Sequence, residues 1–276
     1  MPNPASVLGE AIGHLIESQV QKIVREAVEN LGCFVDTGGK RPGKRKGTKL
    51  LLVNDTGNEY QIDTVVEDKD GNEIALIECK YIRYKKHNRD KASWTCVAHY
   101  KLRTTYPTVR KSIAVLIGDW TAPSKKLMQS FGIEIIEIPF DRLATVLMKY
   151  GVNFRWAEND SIIPASSLKA FEALTAKTKE KIAVECLALA REPLQNLVRK
   201  AIASKEVVPR NVQQIELLLK TNQDEFVLKK FLSLTEAITY MVSLTGQKAD
   251  VGNILAPIQP AHTAESAKVS KVGKKK

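Results

Sequence analysis

The segment EIALIECKY, residues 73–81, has the apolar character of a central β-strand, yet it contains Glu78 and Lys80. Isolated ions are expensive to remove from water, and a buried ion pair often gives no net stability over apolar residues of the same volume. Residues two apart on a strand project to the same face, so Glu78 and Lys80 lie together while Cys79 points to the opposite side. We therefore expect a buried strand that carries a functional site.

The surrounding pattern alternates helices and strands. The apolar residues between Ala11 and Leu31 recur at helical spacing, and KDGN predicts a turn that joins a strand at 59–68 to the one at 73–81. This order predicts an α/β domain with a mixed sheet and helices on both faces. The other predicted elements are strands at 33–36, 49–55, 112–120 and 133–139, and helices at 91–104 and 122–132.

The second half of the chain differs from the first. Beyond about residue 160 the pattern is helical, and from about 248 the composition becomes small, polar and Pro-containing. A chain of 276 residues also exceeds one typical domain. We predict a catalytic α/β domain at 1–155, a smaller all-helical domain at 156–250 and a flexible lysine-rich tail at 251–276.

The positive charge is concentrated in two segments. The formal net charge is +11, and a Gly-rich loop at 38–49 and the end of the chain, 266–276, account for all of it because neither contains an acid. Such segments predict salt-sensitive contacts with the phosphates of a polyanion. For the C-terminal lysines, a role in solubility is an equal alternative. The loop residues are Lys40, Arg41, Lys44, Arg45, Lys46 and Lys49, and those at the end are Lys268, Lys271, Lys274, Lys275 and Lys276.

The sequence also argues against several classes of protein. No segment approaches the roughly 18 uninterrupted apolar residues that a membrane span needs, and the N-terminus has neither a basic leader nor a small-residue cleavage site. We therefore expect a cytoplasmic protein with no membrane partner. Its four cysteines are too scattered for a CxxC zinc pair and too few for a disulfide framework.

A second carboxylate is expected beside the charged strand. Asp63 lies in YQIDTVV, and hairpin pairing across KDGN brings it next to Glu78. Two carboxylates a few ångströms apart repel unless a cation neutralises them, and hard oxygen ligands suit Mg²⁺, with Mn²⁺ as an alternative. Asp63, Glu78 and the backbone carbonyl of Cys79 would hold the metal, and Lys80 would position a water for phosphodiester hydrolysis. The simpler interpretation is a structural ion pair at a strand end.

These residues are similar to the D…(D/E)xK core of the PD-(D/E)xK nuclease superfamily: Asp63 followed by Glu78-Cys79-Lys80. The resemblance covers residues 9–140 and implies a restriction-endonuclease-like fold. Family members commonly begin with a helix carrying a Gly-xxx-Glu element, which Gly13 and Glu17 match, so Glu17 is an expected auxiliary metal ligand. Ile62 stands where the family pattern has proline.

The resemblance implies a Mg²⁺-dependent endonuclease for double-stranded DNA, of restriction or defence type. Because one such site cuts one strand, we expect a homodimer, with the helical domain at 156–250 available for dimerisation or DNA recognition. The basic run after the motif would bind the DNA backbone together with the Gly-rich loop. One alternative is a structure-directed nuclease, such as a junction resolvase or repair enzyme. Another is a nucleic-acid-binding protein that kept the fold without activity. The run contributes Arg83, Lys85, Lys86 and Arg89.

Overall fold

A computed structural model describes residues 3–37, 50–53, 57–84, 87–158, 160–204, 212, 214–220 and 222–244. The chain divides into two compact units, Met1–Glu206 and Val207–Lys276. The helices of the first unit are α1 (Pro4–Val28), α2 (Asn88–Thr105), α3 (Ala122–Ser130), α4 (Phe140–Lys149), α5 (Ile162–Glu172), α6 (Ala176–Leu187) and α7 (Arg191–Ala203). Its strands are β1 (Phe34–Asp36), β2 (Leu50–Val53), β3 (Asn58–Gln61), β4 (Thr64–Glu67), β5 (Glu73–Ile82), β6 (Lys111–Gly118) and β7 (Ile133–Pro139).

The first helix confirms the predicted amphipathic pattern and begins earlier than predicted, at Pro4. The Asn3 side chain accepts a hydrogen bond from the Ala5 amide at 2.9 Å, and proline suits the first helical position because its missing N–H needs no partner there. One face of the helix is buried. The buried apolar residues are Leu8, Ile12, Ile16, Val20, Ile23, Val24, Ala27 and Val28.

Five strands form a mixed sheet in the order β1-β4-β5-β6-β7. β4 runs antiparallel to β1 and β5, whereas β5, β6 and β7 run parallel to one another. β5 is the central strand, as predicted, and its first six residues are all buried. The mixed α/β architecture with helices flanking the sheet is therefore confirmed.

Alternate residues of β5 face two different helical layers. Ile77 packs in the core with α1, whereas Leu76 packs with Leu102 of α2. Ile82 joins a further cluster with Ala92 of α2 and Met128 of α3. Glu78 and Lys80 share the parity of Leu76 and Ile82, so they project toward the α2 side, while Cys79 projects toward the α1 side.

The predicted strand at 59–68 is wrong as a single element. β3 pairs with β2 in a separate two-stranded sheet, and the chain enters the main sheet only at β4. Ile62 and Asp63 lie in the gap between β3 and β4, and Asp63 forms a bend. The interruption places Asp63 where the backbone enters the main sheet, so its carboxylate can turn toward the neighbouring strand.

The end of β6 needs a glycine. Gly118 has a φ of +102°, and a Cβ atom there would lie 1.8 Å from the carbonyl oxygen of Ile82. The next amide, of Asp119, donates to that same carbonyl at 2.9 Å. Only glycine permits this close approach, which ties the end of β6 to the end of β5.

The predicted boundary between residues 155 and 156 is wrong. Helices α5, α6 and α7 belong to the first unit because they cover α1 and complete the core on that side of the sheet. Leu194 and Val198 of α7, for example, are fully buried in the same cluster as Ile16. The apolar faces of these helices therefore complete a core that the sequence assigned to the α/β part alone.

The predicted all-helical domain at 156–250 is also wrong. The second unit contains an antiparallel hairpin of β8 (Ile215–Lys220) and β9 (Phe226–Phe231), followed by α8 (Leu234–Leu244). In β8 half-buried and exposed residues alternate, as expected for a strand. A short apolar run such as IELLLK does not distinguish helix from strand by periodicity alone. The predicted tail lies outside the described residues. Among the described helices none is long and apolar enough to cross a membrane.

Candidate active site

The pairing of β4 with β5 brings the two predicted carboxylates together. The register pairs Thr64 with Ile77, so Asp63 follows opposite Glu78. The Asp63 amide lies 3.5 Å from Glu78 Oε2, and Asp63 Oδ2 accepts a 2.8 Å hydrogen bond from the Cys79 amide. Asp63 is thus bound to the β5 backbone between the other two residues of the motif. The predicted convergence of Asp63 and Glu78 is present.

Glu78 and Lys80 form an ion pair at the same position on the sheet. Lys80 Nζ donates to Glu78 Oε1. The Glu78 side chain is 8% exposed and that of Lys80 is 24% exposed, so only the lysine has substantial access to solvent. The structure therefore presents a buried carboxylate whose partner cation lies at the surface of the site.

The electrostatics of this pair are perturbed. Burial and the nearby charge of Asp63 raise the pKa of Glu78 to about 6, against the opposing effect of Lys80. Burial lowers the pKa of Lys80, but attraction to Glu78 and the hydrogen bond between them outweigh it, so the net shift is upward. A carboxylate that is hard to ionise beside a firmly protonated lysine is typical of functional sites.

Cys79 contributes its backbone rather than its thiol. Burial, followed by the charges of Asp63 and Glu17, raises the pKa of the thiol well above its usual value. A protonated thiol is neither a nucleophile nor a metal ligand at neutral pH. Its carbonyl as a metal ligand stays a prediction.

A glutamine on α1 links the predicted auxiliary acid to the site. Gln21 Nε2 donates to Glu17 Oε1 at 3.2 Å and to the backbone carbonyl of Asp63 at 3.4 Å. Glu17 therefore lies beside the site, as the predicted Gly-xxx-Glu element requires. Sequence reasoning missed Gln21, although its position four residues after Glu17 places both on one helical face.

A cleft of about 840 Å³ opens beside the motif. One wall is α1, a second is the end of β5 with the start of α2, and residues near the start of α5 complete it. Glu17 and Lys80 both line this cleft. A reacting group bound there would lie next to Lys80, whereas Asp63 and Glu78 are not among the residues that line the cleft.

The oxygen donors suit a hard divalent cation. Among residues in the described ranges, no three histidine, cysteine, aspartate or glutamate side chains lie close enough to hold a metal ion by themselves. Mg²⁺, however, is commonly bound through one or two carboxylates, with waters and substrate phosphates as the remaining ligands. Asp63 and Glu78 supply two such carboxylates, so the residues present fit Mg²⁺.

A buried histidine of α2 lies near the motif. His99 of α2 is fully buried, and both ring nitrogens lack a hydrogen-bond partner among the described residues. Burial, then the charges of Arg103 and Lys80, lower its pKa to about 3. His99 is therefore neutral at physiological pH and adds no positive charge beside Lys80.

Arg83, a predicted DNA-binding residue, is half-buried and lines the cleft, and it also holds a neighbouring segment in place. Its guanidinium lies 3.7 Å from the centre of the Trp156 ring and donates to the carbonyls of Phe154, at 2.9 Å, and Trp156, at 3.3 Å. Rings of Tyr84 and Phe140 lie within cation–π distance as well. These donors are committed inside the protein, so Arg83 anchors the segment after α4 to the end of β5.

Arg83→Ala is expected to lower the free energy of unfolding by about 3 kcal/mol, because it removes a partly desolvated cation–π stack and two charge-assisted hydrogen bonds. Arg83→Lys is expected to recover only part of the lost free energy of unfolding. A lysine ammonium lacks the planar guanidinium geometry that lets Arg83 donate to both carbonyls. Urea unfolding monitored by tryptophan fluorescence measures both. Arg89→Ala, at an exposed position on α2, is the control. An Arg83→Ala protein as stable as the control would contradict the anchoring role.

The other predicted DNA-binding residues are mostly beyond what the structure describes. Lys40, Arg41, Lys44, Arg45, Lys46, Lys85 and Lys86 lie outside the described residues. Arg89 is exposed at the start of α2, and Lys91, two residues further on, donates to the Tyr81 carbonyl at 2.9 Å and lines the cleft. Their role in DNA binding stays a prediction.

Comparisons with known proteins leave the family open. No protein-family model matches the chain, and no curated protein matches it. The crystal structure of a protein of unknown function, AF1548, aligns with 69% of this chain and 100% of its own, with 14% sequence identity and a TM-score of 0.29. That similarity assigns neither a fold nor a role to this chain.

Proposed function

We propose that this protein is a Mg²⁺-dependent DNA endonuclease of restriction or defence type with a restriction-endonuclease-like fold. The observation that carries the proposal is the convergence of Asp63, Glu78 and Lys80 at the junction of β4 and β5, beside a cleft. A purely structural ion pair would not explain the second carboxylate, which raises the pKa of Glu78 and makes the group harder to bury.

The chain's own residues would divide the work. Asp63 and Glu78 would hold the metal ion, with the Cys79 carbonyl as a further ligand and Glu17 as an auxiliary one. When bound, Mg²⁺ supplies positive charge to a phosphate oxygen and lowers the pKa of a coordinated water. Lys80, as the more exposed cation, would orient the attacking water and stabilise the negative charge that develops on the phosphate.

Cutting both strands of a duplex with one site per chain is most simply done by a two-fold homodimer, which we include in the proposal. The basic loop at 38–49 would hold the DNA backbone through sequence-independent contacts. A binding protein without activity is the weaker candidate because two neighbouring carboxylates repel phosphate and serve no purpose in simple binding.

The decisive experiment is incubation of the purified full chain with plasmid, phage DNA, branched junctions and RNA, in Mg²⁺ or EDTA, alongside Lys80→Met. Discrete Mg²⁺-dependent fragments from linear duplex, absent with Lys80→Met, would support the restriction-type endonuclease. Cleavage confined to junctions would instead favour the structure-directed nuclease. Cleavage that persists in EDTA or with Lys80→Met would overturn the site assignment.

Gln21→Ala is expected to raise the Mg²⁺ concentration for half-maximal cleavage several-fold, because Glu17 and the backbone at Asp63 lose their shared donor. The rate at saturating Mg²⁺ and the free energy of unfolding should change little. A Mg²⁺ titration of initial rates measures the effect, with Lys22→Ala, an exposed position on the same helix, as the control. An unchanged Mg²⁺ dependence would remove Gln21 from the site.

A further inference from the structure

The cleft beside the motif is longer than the catalytic residues alone require. Its α1 wall runs from Asn3 to Glu17, and fourteen residues of helix span about 21 Å at 1.5 Å per residue. Glu17 and Lys80 lie at one end, and the rest of the cleft extends toward the start of α1. The α1 residues that line it include the small Ala5, Ser6, Gly9 and Gly13.

Those small residues bring α1 close to β5. A Cβ atom at Gly9 would lie only 2.9 Å from Cε1 of Tyr81, and one at Gly13 would lie 3.8 Å from the Tyr81 Cβ. The tyrosine ring therefore packs directly against the helix and forms part of the floor between the two walls. Together with Tyr84 it gives the cleft two aromatic side chains.

The two walls differ in charge. The wall formed by β5 and the start of α2 carries Lys80, Arg83 and Lys91. The α1 wall carries Glu10 and Glu17, and His14 lies within 3.9 Å of both. Near the start of α5, Glu158 and Asp160 add two further acids to the lining. A ligand that fits this asymmetry is anionic on one side and offers hydrogen-bond donors on the other.

A single polynucleotide strand has this asymmetry, because its phosphates lie on one side and the amino groups of its unpaired bases lie on the other. A duplex has phosphates along both of its outer edges, so one backbone would meet the acidic wall. The volume of about 840 Å³ also falls within the range of about 300–1,000 Å³ for sites that enclose small ligands. It holds a few nucleotides and is too small to enclose a turn of duplex.

We infer that this cleft binds one unpaired polynucleotide strand, with phosphates along Lys80 and Lys91 and base edges toward the carboxylates of α1. The inference rests on the proposed function for the position of the reacting phosphate at the Lys80 end. It implies that the strand to be cut enters the cleft unpaired, as an overhang, flap or loop of DNA or RNA or as a locally opened segment of duplex DNA, so a restriction-type substrate must open at the site.

The test compares two tryptophan substitutions on α1. Ser6 and Ser18 are both exposed, but only Ser6 lines the cleft, so Ser6→Trp fills it while Ser18→Trp controls for a large surface side chain. Fluorescence anisotropy in EDTA, which prevents metal-dependent cleavage, gives affinities for labelled single-stranded DNA, single-stranded RNA and blunt duplex of one sequence. Urea unfolding confirms that both variants are folded.

We expect the unsubstituted protein to bind a single strand about tenfold more tightly than blunt duplex, a difference of about 1.4 kcal/mol. Ser6→Trp should abolish this preference and Ser18→Trp should keep it. The basic loop at 38–49 and the lysines at 266–276 are unchanged in both variants, so their contribution to binding cancels. Duplex bound as tightly as single strand, or equal behaviour of the two variants, would overturn the inference. The DNA and RNA arms identify which polynucleotide is preferred.

The cleft assignment and the nuclease proposal can fail independently of each other. Lys80-dependent duplex cleavage in Mg²⁺ together with no effect of Ser6→Trp on strand binding would leave the nuclease proposal standing and remove the cleft assignment. If Ser6→Trp weakens strand binding but no substrate is cleaved, the cleft assignment would stand and the nuclease proposal would fall.

Discussion

Lys80→Met is expected to slow phosphodiester cleavage about a thousandfold, the upper range for loss of one group that stabilises transition-state charge. Methionine keeps an unbranched side chain of similar length but lacks the ammonium that pairs with Glu78. Nucleic-acid binding should be largely retained because the basic loop and other cations remain. Single-turnover cleavage rates at saturating Mg²⁺, with binding measured in EDTA, test both statements.

The same substitution has a second consequence. Lys80 lowers the pKa of Glu78 through its charge and its hydrogen bond, so its removal should raise that pKa further above about 6. Higher pH should then restore Mg²⁺ affinity, since Glu78 ionises again, but not the rate. Lys111→Met is the matched control. Lys111 is the first residue of β6, and it pairs with Glu134 of β7. A direct role for Lys80 would be excluded if Lys80→Met lost no more cleavage rate than Lys111→Met, or if higher pH fully restored the cleavage rate of Lys80→Met.

Glu78→Gln is the second substitution with a large expected effect, a loss of cleavage of about a thousandfold or more, since a neutral amide is a much weaker ligand for a hard cation than a carboxylate. It should also alter the pH dependence of stability. In the folded protein the pKa of Glu78 is raised from 4.5 to about 6, so between these values the folded state binds more protons than the unfolded state.

The stabilising contribution of protonated Glu78 is therefore complete below about pH 4.5 and is lost as pH rises through about 6, a change of roughly 2 kcal/mol at 1.36 kcal/mol per pKa unit. Subtracting the Glu78→Gln curve from that of the unsubstituted protein should reveal this fall. Urea unfolding from pH 4 to pH 8 measures it. Glu134→Gln, at a surface pair, should show no comparable fall. A difference curve that rises with pH would contradict the upward shift of the Glu78 pKa in the folded protein.

Much of the first unit could be predicted because its signals are local. The apolar stripe of α1 and the apolar run of β5 each follow the period of one element, and KDGN identifies the turn between β4 and β5. The pairing of Asp63 with Glu78 followed from that turn. The β-strands at 215–231 were missed because six-residue apolar runs carry no decisive period.

The sequence by itself determined which residues alternate on β5, and therefore that Glu78 and Lys80 share a face, because side-chain direction in a strand depends on residue parity alone. Tertiary structure decided what those residues meet. The bend at Asp63 turns its carboxylate to the Cys79 amide, and Gln21 reaches the site only because α1 packs beside it. Arg83 stacks on Trp156, which is far away in sequence. Such contacts join distant segments, and packing rather than local periodicity selects them.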